Sequence, residues 1–216
     1  MGSKANKIIR YIFSSFLDVI YPYENKCSVC GAENFIGLCS CCKSKIKRSL
    51  DNEDKEILTY GFYGGPLKQL VLNFKYHKDF TAGKVLSEFL IELINDNKIN
   101  SDYICYVPMN KKDIKKRGYN QCEIIAKNIS EIVNIPVIKG IKKVKATKTQ
   151  KTLDRRERLL NVKGAFEANE KLVKNKTILL IDDVITTGDT VLECKKKLKK
   201  AGANQIIVLT IAKSQI

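Results

Sequence analysis

Residues 176–190 read KTILLIDDVITTGDT. No other stretch limits the fold so tightly. Ile178, Leu179, Leu180 and Ile181 form an unbroken apolar run. An apolar run of strand length with no polar alternation is a strand buried on both faces. Such a strand sits in a parallel sheet with helices on either side. The strand is expected to span 176–182 and to end at Asp182. Ligands in these sheets bind beyond the carboxyl ends of the strands, so the acids and the loop after them fall where a ligand would sit.

The chemistry of the stretch follows from its residue types. Successive strand residues point to opposite faces, so Asp182 and Asp183 are expected to diverge at the strand end without deep burial. A carboxylate suits a vicinal diol, accepting one hydrogen bond from each hydroxyl. The ITTGDT loop then leads into a helix whose free N–H groups and dipole favour an anion. Thr186, Thr187 and Thr190 offer hydroxyl donors, and Gly188 permits a tight turn. Acids for a diol beside a cradle for an anion describe a pocket for a ribose 5-phosphate. The competing reading is that Asp183 and the threonines only turn the chain and cap the helix.

The rest of the chain supports a parallel sheet. ILTYGFY at 57–63 and DYICYVP at 102–108 read as strands, and so does NQIIVLTIA at 204–212. Two amphipathic helices are expected over 66–96, with Pro66 in the first turn. Further helices are expected over 119–133 and 188–200, the last closed by Gly202. Residues 139–161 are basic and poor in large apolar groups, which suggests a mobile loop. Within it, Asp154 precedes Glu157 at capping-box spacing, so a short helix is expected to begin at Arg155. Apolar residues at 8, 9, 12, 13, 16, 17 and 20 fit one face of an amphipathic helix over 4–20. DNEDKE at 51–56 marks a boundary between a first module (1–50) and a second domain (57–216).

Five of the eight cysteines lie within residues 27–42. With Cys39 and Cys42 as the second pair, the spacing is C-x2-C-x8-C-x2-C. Two such turns, the first followed by Gly31, complete a tetrahedral sulfur shell, which favours structural zinc on Cys27, Cys30, Cys39 and Cys42. The spacing also suits an iron–sulfur cluster, and Cys41 is an alternative to Cys39 or Cys42. Cys105, Cys122 and Cys194 stand in apolar surroundings and read as core residues.

The net charge is +16. Residues 51–100 are slightly acidic, and the excess lies in 1–50 and 101–216. Basic regions suit a polyanionic partner, a nucleic acid or a phosphorylated small molecule, although a lysine-rich surface is the plainer explanation. The arginines are more selective. Among 39 basic residues only six are arginine, and four of these are Arg117, Arg155, Arg156 and Arg158. Guanidinium forks match phosphate oxygens in a way that lysine does not. No run reaches the ~18 apolar residues of a membrane span, and no small-x-small cleavage site follows the N-terminal apolar patch. A cytoplasmic location is the expectation.

ILLIDDVITTGDT resembles the thirteen-residue signature of the phosphoribosyltransferases. VPMNKKDIKKRGYNQ (107–121) is similar to the VP-x-x…RG-[aromatic]-NQ segment of the ComF family. ATKTQKTLDRRERLLNVKGAF (146–166) is similar to that family's T-x-x-Q…ER-x-x-N-x-x-GAF segment. LKQLVLNFKY (67–76) resembles its helix ending in KY, and the paired C-x2-C motifs are also shared. The resemblance implies a type I phosphoribosyltransferase-like parallel sheet with flanking helices, preceded by a small zinc-binding module. It also implies a role in competence for DNA uptake.

By position, the resemblance puts Asp182 and Asp183 on the ribose hydroxyls of phosphoribosyl pyrophosphate (PRPP). It puts Thr186, Thr187, Gly188, Asp189 and Thr190 around the 5-phosphate, with the Asp189 side chain turned away. Arg117 would face the pyrophosphate, and Arg158 would lie on a closing loop. Mg²⁺ would accompany the pyrophosphate. Asn120 and Gln121 are expected to brace the loop rather than touch ligand. Asn110 departs from the family, which often has histidine there. Lys75, at a helix end, and the lone His77 read as solvent-facing. Two functions fit this reading. One is a PRPP-binding accessory to DNA uptake that also binds single-stranded DNA, with Phe35, Tyr60, Phe62, Tyr63 and Tyr76 as candidate stacking residues, a core role being the default for each, and a competence protein as a possible partner. The other is an active phosphoribosyltransferase of nucleotide metabolism.

Overall fold

The computed structural model describes residues 25–49, 56–145 and 162–214. The expected helix over 4–20, most of the 51–56 connector and the segment containing Arg155 and Arg158 lie outside these residues. None of the described helices is long and apolar enough to cross a membrane.

The sheet has four strands: β1 (Ile57–Phe62), β2 (Tyr103–Tyr106), β5 (Thr177–Ile185) and β6 (Gln205–Lys213). Their order is β1-β6-β5-β2, and every pairing is parallel. β5 is therefore central, as its unbroken apolar run requires. Its side chains alternate between two cores. Leu179 and Ile181 join Leu58, Tyr60, Ile104, Leu209 and Ile211 on one face. Ile178 and Leu180 join Cys105, Ile206 and Val208 on the other. The Pro136–Ile138 segment lies along the outer edge of β2, where Ile104 N–H donates to Pro136 O and Ile138 N–H to Ile104 O, both at 2.9 Å.

The first core is closed by α2 (Gly65–Tyr76), α3 (Phe80–Asp96) and α5 (Gln121–Val133). Asp79 caps α3 by accepting from Ala82 N–H, and Asn120 caps α5 by accepting from Cys122 N–H. These bonds satisfy N–H groups that a helix start leaves open. The second core is closed by α7 (Asp189–Lys200) and a small antiparallel pair, β3 (Ile141–Lys143) and β4 (Phe166–Ala168). Two short helices complete the set: α4 (Lys111–Arg117) after β2, and α6 (Glu170–Val173) after β4.

Strand β3 corrects the expectation of a loop from residue 139. Its small apolar content suffices because only Ile141 enters the core, while Lys142 and Lys143 stay exposed or half-buried. Cys105, Cys122 and Cys194 are buried, as their surroundings suggest. Tyr60 takes the core role that is the default for such a ring rather than a base-stacking one. It is 1 % exposed and stacks on Phe89 at 4.1 Å between ring centroids.

The cysteine module packs against this frame. Ile46 enters the first core, and Arg48 pairs antiparallel with Gly61 of β1. Glu92 of α3 accepts from Lys43, Arg48 and Tyr60 at 2.9, 3.0 and 3.2 Å. Burial raises the Glu92 pKa, but these donors outweigh it and hold the carboxyl below its usual value.

Candidate functional site

β5 does not stop at Asp182. It continues to Ile185, because Val184 and Ile185 still pair with Ala212 and Lys213 of β6. The acid pair consequently sits inside the strand rather than at its tip. Asp182 is 8 % exposed and Asp183 9 %, which corrects the expectation of shallow placement. The other neighbour, β2, stops at Tyr106, and the chain leaves toward α4. That early exit opens the flank of β5 beside the acids.

Buried carboxylates require partners. Asp183 Oδ2 receives Lys75 Nζ at 2.7 Å and the side-chain amide of Gln121, and Oδ1 accepts from Val184 N–H at 2.6 Å. Asp182 Oδ1 accepts from Asp183 N–H at 2.9 Å and faces the Cys122 thiol at 3.7 Å. The two acids are thus in different electrostatic states. Burial raises both, but the Lys75 ammonium, with Gln121, holds Asp183 below its usual value. Burial and then the Asp183 charge push Asp182 up to about 7. Cys122 stays a neutral thiol, raised by burial and by both carboxylates.

Lys75 is the clearest residue missed in the sequence. Its side chain is 17 % exposed, and burial acts to lower its pKa, but Asp183 beside it holds it above the usual lysine value. The signal was present: Leu67, Val71 and Lys75 follow one another at four-residue intervals, the period of a buried helical face. Gln121 also does more than brace a loop. It joins Arg117 to Asp183, and the Arg117 guanidinium lies 5.4 Å from the Tyr76 ring centroid. Asn120 does brace the loop, donating to Val107 O at 3.1 Å. His77 is exposed at the end of α2, as expected.

After Ile185 the chain turns through Thr186 and Thr187 into α7. Gly188 is the N-cap at φ +81°, a left-handed conformation that side-chain-bearing residues adopt at a cost. It contributes no side-chain cap, so the first N–H groups of α7 face the loop. Residues 182–191 line an open concavity of about 420 Å³, counting solvent at its mouth. The Asp189 carboxylate accepts from the Thr187 hydroxyl. Gly188→Ala is expected to cost about 1–2 kcal/mol of stability, read as a lower urea midpoint with an unchanged slope. An unchanged midpoint would mean that the loop relaxes out of the left-handed turn.

The second constellation is the cysteine cluster. The sulfurs of Cys27, Cys30, Cys39 and Cys42 all lie within 4.8 Å of one another. Tetrahedral zinc with Zn–S bonds near 2.3 Å places its sulfurs about 3.8 Å apart, and Cys30 and Cys39 already stand at 3.7 Å. Gly31, at φ +73°, turns the first pair. Cys39 begins the five-residue helix α1 (Ser40–Ser44), which brings Cys42 back to the cluster. Cys41 is exposed on the outside of α1 and does not join the four. Backbone N–H groups of Cys39 and Cys42 donate to the Cys27 and Cys39 sulfurs, each at 3.4 Å. Burial raises the Cys27 pKa, but backbone donors outweigh it and bring it to about 6. Burial and the neighbouring sulfurs push Cys42 the other way. Four sulfurs this close favour a divalent cation, which removes their mutual repulsion, so the donor set fits a metal such as zinc.

The family described as phosphoribosyl transferase domain matches residues 114–215, from the middle of α4 through β6. Competence protein F of Haemophilus influenzae is 31 % identical over 204 residues, covering 90 % of this chain and 86 % of its own. Competence protein ComFC of Streptococcus pneumoniae is 26 % identical over 190 residues, covering 88 % and 81 %. The chain belongs to the ComF family. DNA utilization protein YhgH of Escherichia coli is also similar, 27 % identical over 166 residues and covering 74 % of this chain and 73 % of its own. ComF membership agrees with the parallel sheet of phosphoribosyltransferase type and with the cysteine module ahead of it.

Proposed function

We propose that this ComF protein binds PRPP at the β5–α7 turn and acts in DNA uptake, where it also binds single-stranded DNA. The carrying observation is the sequence of groups along one concavity: two buried acids, a threonine loop, and a helix start capped by a glycine. Asp182 and Asp183 would serve the ribose hydroxyls. Thr186, Thr187, Gly188, Asp189 and Thr190 would surround the 5-phosphate, which α7 would meet with backbone N–H groups. The Thr187 hydroxyl engages the Asp189 carboxylate, an arrangement that keeps this negative charge off the phosphate. Arg117, joined to Asp183 through Gln121, would face the pyrophosphate. Arg158 is assigned to a loop outside the described residues. Mg²⁺ would neutralise the pyrophosphate, and zinc would hold the cysteine module. The names of the relatives support the DNA role, and the basic excess suits a polyanion. Phe35 and Tyr76, 39 % and 54 % exposed, remain as aromatic contacts for bases, while Ile36, 70 % exposed beside Phe35, suits a protein partner.

A second reading, an active transferase of nucleotide metabolism, is supported by the same concavity, since a transferase would use the same acids and helix start. One experiment separates the two. Single-stranded DNA binding is measured against salt, with and without PRPP, for the parent, Asp182→Asn/Asp183→Asn and Cys27→Ser. The acid variant should lose PRPP and keep DNA, and Cys27→Ser should lose DNA. DNA affinity no higher than that of an unrelated protein of equal charge would sink the DNA role. Pyrophosphate release with any member of an acceptor panel would establish the second reading.

A further inference from the structure

The final turn of α2 joins three parts of the molecule through three consecutive residues. The Asn73 side-chain amide donates to Ser28 O at 2.6 Å, inside the first cysteine pair. Phe74 O accepts from the Tyr119 hydroxyl, in the segment that leads to Gln121. Lys75 meets Asp183 at 2.7 Å. Phe74 is itself 1 % exposed and packs against Phe80 and Tyr119, so this turn has little room to move.

The consequence for the acids is unequal. Both Asp183 oxygens are taken, Oδ2 by Lys75 and Gln121 and Oδ1 by Val184 N–H. Among the described residues, both donors to Asp182 lie on Oδ1, and none bonds Oδ2. Asp182 nevertheless lines the concavity. A carboxylate offers about four acceptor positions: three of those on Asp183 are filled, leaving one on Oδ1, whereas among the described residues both on Asp182 Oδ2 stay open to ligand hydroxyls.

We infer that Lys75 is a positioning residue of the phosphoribosyl site: its ammonium anchors Asp183 against Gln121 and leaves Asp182 as the acid that meets the ligand's hydroxyls. This rests on the PRPP reading above and divides the labour within it. Lys75 supplies the positive charge that lets two adjacent buried acids coexist, since like charges this close resist joint ionisation. The groups facing the pair come from every neighbouring element: Lys75 from α2, Gln121 and Cys122 from α5, and Arg117 from α4 through Gln121. Tyr63, which precedes α2, feels the Asp183 charge, and Lys143 of β3 and Cys194 of α7 feel that of Asp182. Lys75 alone among the cations forms an ion pair with Asp183 in the described residues.

The test is PRPP affinity, by calorimetry at fixed excess Mg²⁺, from pH 6 to 9. The variants are Lys75→Met, Asp183→Asn, Lys75→Met/Asp183→Asn and Asp182→Asn. The ligand phosphate titrates identically in every arm, so variant-to-parent ratios isolate the protein groups. The parent should bind more tightly as pH rises through about 7, where Asp182 ionises. Lys75→Met should weaken binding at least about tenfold at pH 7 and move that rise to higher pH, because the pair loses its counter-charge. Asp182→Asn should lose more affinity than Asp183→Asn. The double variant should match Asp183→Asn, because Lys75 acts through that residue. This last comparison also holds if Lys75→Met alone fails to fold, since the double variant removes both members of the Lys75–Asp183 ion pair together. Lys75→Met with parental affinity and pH profile would overturn the inference, and so would additive losses in the double variant. Absence of PRPP binding in the folded parent would instead overturn the PRPP reading, and with it any ligand role for Lys75.

Discussion

Cys39→Ser is expected to purify without metal, whereas the parent is expected to carry one equivalent of zinc, and to lose the order of residues 26–46. Cys39 is 3 % exposed and serves the module in three ways. Its sulfur is one corner of the cluster, it accepts from Cys42 N–H to start α1, and its own N–H donates to the Cys27 sulfur. Serine keeps the shape but replaces a soft thiolate with a hydroxyl that does not ionise at neutral pH. A structural zinc of this type carries on the order of 10–16 kcal/mol of apparent binding free energy, far more than a module of this size gains from its small core. Metal content and amide exchange over 26–46 are the readouts. Cys41→Ser is the matched control, because Cys41 is exposed outside the cluster and should keep full metal content. Zinc retained by Cys39→Ser, or lost by Cys41→Ser, would reassign the ligand set.

Phe89→Ala should produce the largest loss of stability in the main domain, about 3–5 kcal/mol. The ring is 2 % exposed and lies parallel to Tyr60, with 7° between planes. Its removal opens a cavity between α3 and β1 and strips one face of Tyr60. It also removes the surface over which the Lys43 ammonium lies, 5.7 Å from the ring centroid. Tyr60 and Lys43 both bond Glu92, so the loss reaches the contact between module and sheet. Urea unfolding should show a lower midpoint at unchanged slope. A loss below about 1 kcal/mol would mean that the surrounding side chains collapse into the space.

Much of the fold was legible because the deciding signals are local. The apolar run 178–181 could only be a central strand, and the spacing of the paired cysteines named the four that converge. The strands expected over 57–63, 102–108 and 204–212 appear within a residue or two of those limits. Strand β3 escaped because a three-residue edge strand with a single core side chain carries too little pattern to stand out from a basic loop. Tyr60 could be read both as core and as a base contact, because composition shows an aromatic ring but not what covers it.

The site divides in the same way. Asp182, Asp183 and the loop through Thr190 are contiguous, so covalent connectivity alone brings them together, and the sequence by itself determined that an acid pair precedes an anion-ready helix start. It could not determine the state of those acids. Lys75 is more than one hundred positions from Asp183 in the chain, and Gln121 more than sixty. Their convergence depends on α2 and α5 packing on the same face of β5 as Asp183. Strand pairing with β6 also carried the acids inside the strand, past the point where the apolar run ends. Alternation along a chain sets which face a side chain takes, but only packing between elements sets what meets it there. Only the tertiary structure, therefore, decided that one acid is mostly occupied and the other keeps a whole oxygen open.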